Sequence, residues 1–93
     1  MAIVFVIPGA LRPLAGDRPE IHVAFDGGSL ADALGALWTS APALRDRVLT
    51  ELDDVRPHIN VFVDGRNARD IGGMAARVEP DAEIVLLPAV SGG

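Results

Sequence analysis

The 93-residue sequence contains no cysteine, which excludes disulfide bonds, thiolate nucleophiles and thiolate metal ligands. Its two histidines, His22 and His58, lie far apart in strand-like segments, so we expect partly exposed strand residues and no metal site. No pair of carboxylates has a spacing that indicates acid–base catalysis, and no nucleophile accompanies a base. The sequence therefore favours a protein that is not an enzyme.

Basic residues are scarce, with 8 against 13 acidic ones and a net charge of −5. Nucleic acids and anionic membranes bind clustered Lys and Arg, so neither is an expected partner, whereas a protein with a basic surface is compatible. The longest apolar runs, at 2–7 and 84–87, are too short to span a bilayer. Since no signal segment opens the chain, we expect a cytoplasmic protein.

Apolar and β-branched runs predict the strands. Residues 3–7 form a continuous apolar run typical of a buried strand, and residues 20–25 alternate as in a half-buried one. The segment 11–19 between them contains two prolines and a glycine and predicts a loop. The last strand is predicted at 84–87.

A third long strand is predicted at 59–63, with Ile59, Val61 and Val63 on one face and Asn60 and Phe62 on the other. The sequence Asp-Gly at positions 64 and 65 predicts a tight hairpin turn, because such turns need positive φ angles. A short strand at 67–69 should follow this turn.

One main helix is predicted to begin after Ser29, with Asp32 placed as in a capping box. Its apolar residues fall on one side at helical spacing: Leu30, Ala33, Leu34, Leu37 and Trp38. A shorter helical segment is predicted at 42–52, with Leu44, Val48 and Leu52 facing inward. A single helical turn is predicted within 72–78.

The predicted order is strand, strand, helix, strand, short strand, strand. The first two strands form a hairpin and the helix crosses over to the third, which covers one sheet face. This is the order of the α+β β-grasp (ubiquitin-like) fold, a mixed four- to five-stranded sheet packed on one main helix. We assign residues 1–87 to this domain and 88–93 to a flexible C-terminal tail ending in Gly92-Gly93.

The most specific likeness to a known family lies between Asn60 and Gly93. The segments "INVFVDGRNAR" and "PDAEIVLLPAVSGG" resemble the ubiquitin-like sulfur carrier proteins, which include the molybdopterin synthase small subunit and the thiamine-type and cysteine-biosynthesis-type carriers. The early "IPGALRPLAG" is similar to the cysteine and molybdopterin types. Ser91 stands where many members have Ala or Thr, and the link at 26–28 is longer than in the leanest members.

The resemblance implies that the reactive group is the Gly93 carboxylate. In this family an E1-like adenylating enzyme uses ATP to adenylate that carboxylate, and a sulfur donor then displaces AMP to leave a thiocarboxylate. Gly92 has no Cβ to obstruct the narrow channel of the partner. Six extended residues from Pro88 onward reach about 20 Å. The carrier itself binds no cofactor, is a monomer when free, and delivers sulfur to a synthase.

Partner binding is expected to use the sheet face that the helix leaves open, together with the tail. Phe5 and Phe62 are candidates for exposed aromatic side chains on this face. Arg66 and Arg69, near the predicted hairpin, could pair with carboxylates of the partner. The full expected set is Phe62, Leu87, Ala89, Val90, Ser91, Arg66 and Arg69.

Several functions remain open. Sulfur delivery of the cysteine type, or to a secondary metabolite, is favoured, and the molybdopterin synthase small subunit is the nearest alternative. A ubiquitin-like protein modifier and a plain β-grasp interaction domain are the alternatives of another class. The chain has no lysine, so all eight basic residues are arginines. Either a GC-rich genome explains this, or an activated C-terminus benefits when the chain offers no side-chain amine.

Overall fold

The computed structural model describes residues 1–89. The strands are β1 (Ala2–Val6), β2 (Glu20–Ala24), β3 (Gly28–Ser29), β4 (Ile59–Val63), β5 (Arg66–Asn67), β6 (Arg77–Val78) and β7 (Glu83–Pro88). The α-helices are α1 (Leu30–Ser40) and α2 (Arg45–Val48), and short 3-10 helices lie at Gly9–Ala15, Pro42–Leu44, Ala68–Asp70 and Gly73–Ala75.

Five strands form one mixed sheet in the order β2-β1-β7-β4-β5. The last strand, β7, lies at the centre, parallel to β1 and antiparallel to β4. The hairpin β1–β2 occupies one side, and on the other side β5 pairs with the end of β4. With α1 packed against this sheet, the predicted β-grasp fold is confirmed, including the place of the last strand within the main sheet.

Helix α1 begins as the capping pattern predicts. Ser29 Oγ accepts a hydrogen bond from the Asp32 N–H at 3.1 Å, and Asp32 Oδ2 accepts one from the Ser29 N–H at 3.2 Å. Leu30, Ala33, Leu34 and Leu37 are buried, while Trp38 is half-buried beside the core. The apolar stripe of this helix is therefore what holds the sheet and helix together.

The inward position predicted for Leu52 is wrong, because that side chain is 83% exposed. Helix α2 ends at Val48, and Leu49 is already extended and pairs with Val55 in an isolated bridge. Leu49 therefore takes the next core position, 3% exposed, and the chain turns outward before it reaches Leu52.

The loop predicted at 11–19 is also corrected in part, because a 3-10 helix spans Gly9–Ala15. This helix buries Leu11 and Ala15 in the core and ends at Gly16, which has a φ of 67°. Pro13 lies inside it. Leu11 and Ala15, four residues apart, give the segment a buried side. The prolines and the glycine had indicated a loop, so this helix was not predicted.

The hairpin after β4 forms as predicted, but its second strand begins one residue earlier than predicted. Asp64 and Gly65 have φ angles of 49° and 84°, so both adopt the left-handed conformation that this turn requires. Val63 therefore pairs directly with Arg66, and β5 covers Arg66–Asn67 instead of 67–69. The helical turn predicted within 72–78 covers only Gly73–Ala75, because Arg77–Val78 forms β6 and pairs with β3 in a second sheet that the sequence did not predict.

Candidate functional site

The sheet has a core face and an open face. Ile59, Val61 and Val63 are buried with the residues of α1, whereas Asn60 and Phe62 point the other way and are half-buried. This alternation confirms the faces predicted for β4. Successive residues of a strand point to opposite faces of the sheet, whereas paired residues on neighbouring strands point to the same face. The orientation of β4 therefore assigns each residue of the adjacent strands to one face.

Phe5 does not lie on the open face, and this candidate is therefore corrected. It is 0% exposed and belongs to the core together with Ile3 and Ile7. Its neighbours Val4 and Val6 take the open face instead and are half-buried. The run at 3–7 is apolar at every position, so the sequence carried no alternation to separate the two faces.

An apolar row crosses the open face. Val6 of β1 is paired with Val85 of β7, which is in turn paired with Phe62 of β4. Leu87, two residues beyond Val85 on β7, is 44% exposed and lies opposite Asn60. We define the open-face patch as Val4, Val6, Phe62, Val85 and Leu87. The three valines were not predicted from the sequence. Side chains alternate between faces in a strand, so an inward Phe5 would have placed Val4 and Val6 on the open face.

The end of β7 leads to the predicted tail. The strand runs through Pro88, and the Ala89 N–H donates to the His58 carbonyl oxygen at 2.5 Å. The boundary expected after Leu87 therefore falls inside a paired strand. Val90, Ser91, Gly92 and Gly93, which make up most of the predicted tail, lie outside the described residues.

The two predicted partner-binding arginines differ in their surroundings. Arg66 is exposed on β5, and within residues 1–89 its side chain has no hydrogen bond or ion pair. The Arg69 guanidinium instead donates to three oxygens of its own chain: Arg56 O at 2.9 Å, Ile59 O at 2.8 Å and Asn60 Oδ1 at 2.7 Å. These contacts hold Arg69 against the start of β4.

The described residues form a small cavity and offer neither a metal cluster nor a membrane-spanning helix. A cavity of about 200 Å³ lies beside Asn67, Arg69 and Met74 at the β5 edge of the sheet. Within residues 1–89, no three His, Asp or Glu side chains are grouped closely enough to hold a metal ion. The same residues include no helix with the length and apolar character needed to cross a membrane.

Comparison with known proteins gives a consistent family likeness. The model of the ThiS family matches residues 5–93. The sulfur carrier protein CysO of Mycobacterium tuberculosis is 25% identical over 95 residues, covering 100% of both chains. Small archaeal modifier protein 1 of Haloferax volcanii is 38% identical over 84 residues, which cover 89% of this chain and 91% of the relative.

Among solved structures, a chain of the Amycolatopsis orientalis BexX/CysO complex superposes with a TM-score of 0.88 and 25% identity. The match covers 98% of this chain and 99% of that one. The likeness therefore extends over the whole sheet and helix, including the hairpin and the central last strand.

Proposed function

Because this chain belongs to the ThiS family of ubiquitin-like sulfur carrier proteins, we propose that it carries sulfur as a thiocarboxylate on Gly93. An oxygen of the Gly93 carboxylate attacks the α-phosphorus of ATP in an E1-like adenylating enzyme, and pyrophosphate leaves. A sulfur donor then attacks the acyl carbon and expels AMP. The carrier's own residues bind the enzyme and present the tail to it, and the enzyme binds ATP and supplies the catalytic groups.

The observation that carries this proposal is the place of β7. This strand lies between β1 and β4, and Ala89 is still held by the His58 carbonyl. A firmly paired strand therefore leads directly to the four residues that include Gly92 and Gly93. Holding the root of the tail lowers the entropy lost when the carboxylate enters a partner active site.

The open-face patch supports a docking role. Two of its members, Val85 and Leu87, lie on β7, the strand that leads to the tail, so a partner that covers Leu87 also receives the residues that follow it. Apolar anchors at the centre of an interface commonly dominate its binding energy. We propose that Phe62 and Leu87 contact the partner, that Ala89, Val90 and Ser91 pack against it as the tail enters its channel, and that Arg66 pairs with a carboxylate at the rim.

The sulfur-accepting partner is proposed to be a biosynthetic synthase of the cysteine or secondary-metabolite type. Support comes from the relative named sulfur carrier protein CysO and from the likeness to a chain of the BexX/CysO complex. A molybdopterin synthase large subunit is the alternative acceptor. Both choices use the same activated Gly93 and the same open-face patch, so they differ only in the protein that docks second.

A second candidate function is protein modification, which the 38% identity to small archaeal modifier protein 1 favours. The adenylated Gly93 would then be attacked by a lysine amine of another protein, with release of AMP. Arg77 is the last Arg or Lys of the chain, so trypsin would leave residues 78–93 attached to each acceptor lysine. Detection in cells of peptides that carry this remnant on lysine would establish conjugation. If no such peptides are found while the thiocarboxylate form of the protein is present, sulfur transfer is the function that remains.

Reconstitution with the adenylating enzyme of the same genome tests the shared first step. We expect ATP-dependent pyrophosphate release with the native protein, and none when Gly93 is deleted or one residue is added after it. Gly92→Val should fail as well, because its side chain would obstruct the channel. Equal release by the extended protein would contradict the role of Gly93, and thermal unfolding of each variant controls for the fold.

A further inference from the structure

The residues Arg56, Pro57, His58 and Ile59 form a turn, named here the tail-root turn. The Ile59 N–H donates to the Arg56 carbonyl at 2.9 Å, which closes the turn between its first and fourth residues. Its third residue, His58, presents the carbonyl that accepts the Ala89 N–H at 2.5 Å. The geometry of this turn therefore determines where the last described residue of the chain is held.

Arg69 joins the two ends of the tail-root turn. Its Nη2 donates both to Arg56 O and to Ile59 O, while Nη1 donates to Asn60 Oδ1 just beyond the turn. A planar guanidinium can reach several acceptors at fixed angles, which an ammonium group on a flexible stem does not reproduce. Asn67 assists, because its Oδ1 accepts the Arg69 N–H at 3.0 Å and its Nδ2 donates to Asn60 Oδ1 at 3.3 Å.

The opposite side of the turn is held by Arg56. Its N–H donates to the Val48 carbonyl at 2.9 Å, and its Nε donates to the Asp46 carbonyl, also at 2.9 Å. The tail-root turn is thus fastened to the end of α2 on one side and to Arg69 on the other. Removing Arg69 frees one side only, so the turn can shift while the fold persists.

We propose that Arg69 is a positioning residue that holds the tail-root turn and thereby fixes the direction in which the tail leaves β7 at Ala89. Its guanidinium acts within the chain, in contrast to the pairing with partner carboxylates expected for it from the sequence. The consequence for catalysis rests on the proposed function: a carboxylate delivered in the wrong direction reaches ATP less often, and an error of about 1 Å can cost a hundredfold in rate.

Amide hydrogen exchange in the isolated protein tests the positioning directly. In Arg69→Ala and Arg69→Lys, we expect the Ala89 amide to exchange about tenfold faster, the change that loss of about one hydrogen bond produces. The Val85 amide in the middle of β7 should change much less. Arg66→Ala is the matched control, since Arg66 is an arginine only three residues earlier whose side chain has no such contacts within residues 1–89, and it should leave Ala89 exchange unaltered.

Two results of this experiment would overturn the proposal. Native-like exchange of Ala89 in both Arg69 variants would show that the guanidinium does not hold the turn. Equal acceleration at Ala89 and Val85 would show that Arg69 only stabilises the fold. Arg69→Lys keeps the charge and the aliphatic stem, so it serves for the comparison where Arg69→Ala folds poorly.

Steady-state adenylation kinetics provide the functional readout. We expect Arg69→Lys and Arg69→Ala to lower kcat about tenfold with little change in KM, because the open-face patch still docks. If Arg69 paired with a partner carboxylate, lysine would largely restore activity and alanine would raise KM, which would contradict the proposal. Failure of the native protein to be adenylated would refute the proposed function, whereas the exchange experiment would still decide the role of Arg69.

Discussion

The adjacent leucines of β7 provide a matched test of the two sheet faces. Leu86 is 0% exposed in the core, and Leu87 is 44% exposed on the open-face patch. The same substitution by alanine therefore removes the same atoms from opposite faces of one strand. Leu86→Ala should act on stability, and Leu87→Ala should act on partner binding.

The magnitudes follow from burial. Leu86→Ala leaves a cavity among tightly packed core residues and should lower the free energy of unfolding by about 2–5 kcal/mol. In a domain of this size each 1 kcal/mol shifts Tm by about 4–8 °C, so Tm should fall by at least about 8 °C. Leu87→Ala should cost about 1 kcal/mol or less, because nearly half of the side chain is already in water.

Binding to the adenylating enzyme should show the reverse order. Leu87→Ala is expected to weaken the affinity about tenfold, which corresponds to about 1.4 kcal/mol at one interface anchor. Leu86→Ala should bind normally below its Tm. Thermal unfolding and isothermal titration calorimetry measure the two effects. Native affinity of Leu87→Ala, or a loss of stability as large as that of Leu86→Ala, would refute the assignment of Leu87 to a docking face.

Three further predictions concern stability, each checked by thermal or urea unfolding. Gly35→Ala, at an exposed position of helix α1, should stabilise the protein by about 0.5–1 kcal/mol, whereas Gly65→Ala should destabilise it by about 1–2 kcal/mol because the φ of Gly65 is 84°; stability changes of the same sign would contradict this. Ser29→Ala removes the helix cap and should cost about 1 kcal/mol, so an unchanged midpoint would argue against the capping box. Phe5→Ala should cost about 3–5 kcal/mol and half-buried Phe62→Ala clearly less, and a reversed order would overturn the face assignment.

Local patterns in the sequence were sufficient to predict the main elements. Alternation in 59–63 gave the faces of β4, and Ser29 with Asp32 gave the start of α1, because both signals depend on near neighbours in the chain. The exposure of Leu52 could not be predicted in this way. It depends on the bridge between Leu49 and Val55, which replaces a continued helix by an extended segment.

The candidate site was predictable only where side-chain periodicity was visible. Phe62 was assigned to the correct face, and Phe5 was not, because every residue from 3 to 7 is apolar. The difference between Arg66 and Arg69 was hidden for another reason. The acceptors of Arg69 lie 9 to 13 residues earlier in the chain and are brought to it by the hairpin that follows β4.

The central claim is that Gly93 carries the sulfur, and intact-mass spectrometry tests it most directly. The protein is incubated with its adenylating enzyme, ATP and sulfide, and fragmentation then locates any change in mass. We predict a gain equal to the exchange of one oxygen for one sulfur, confined to the C-terminal residue and absent without ATP. An unchanged mass with every adenylating enzyme of the same genome, or sulfur gained by the protein with a residue added after Gly93, would contradict the account.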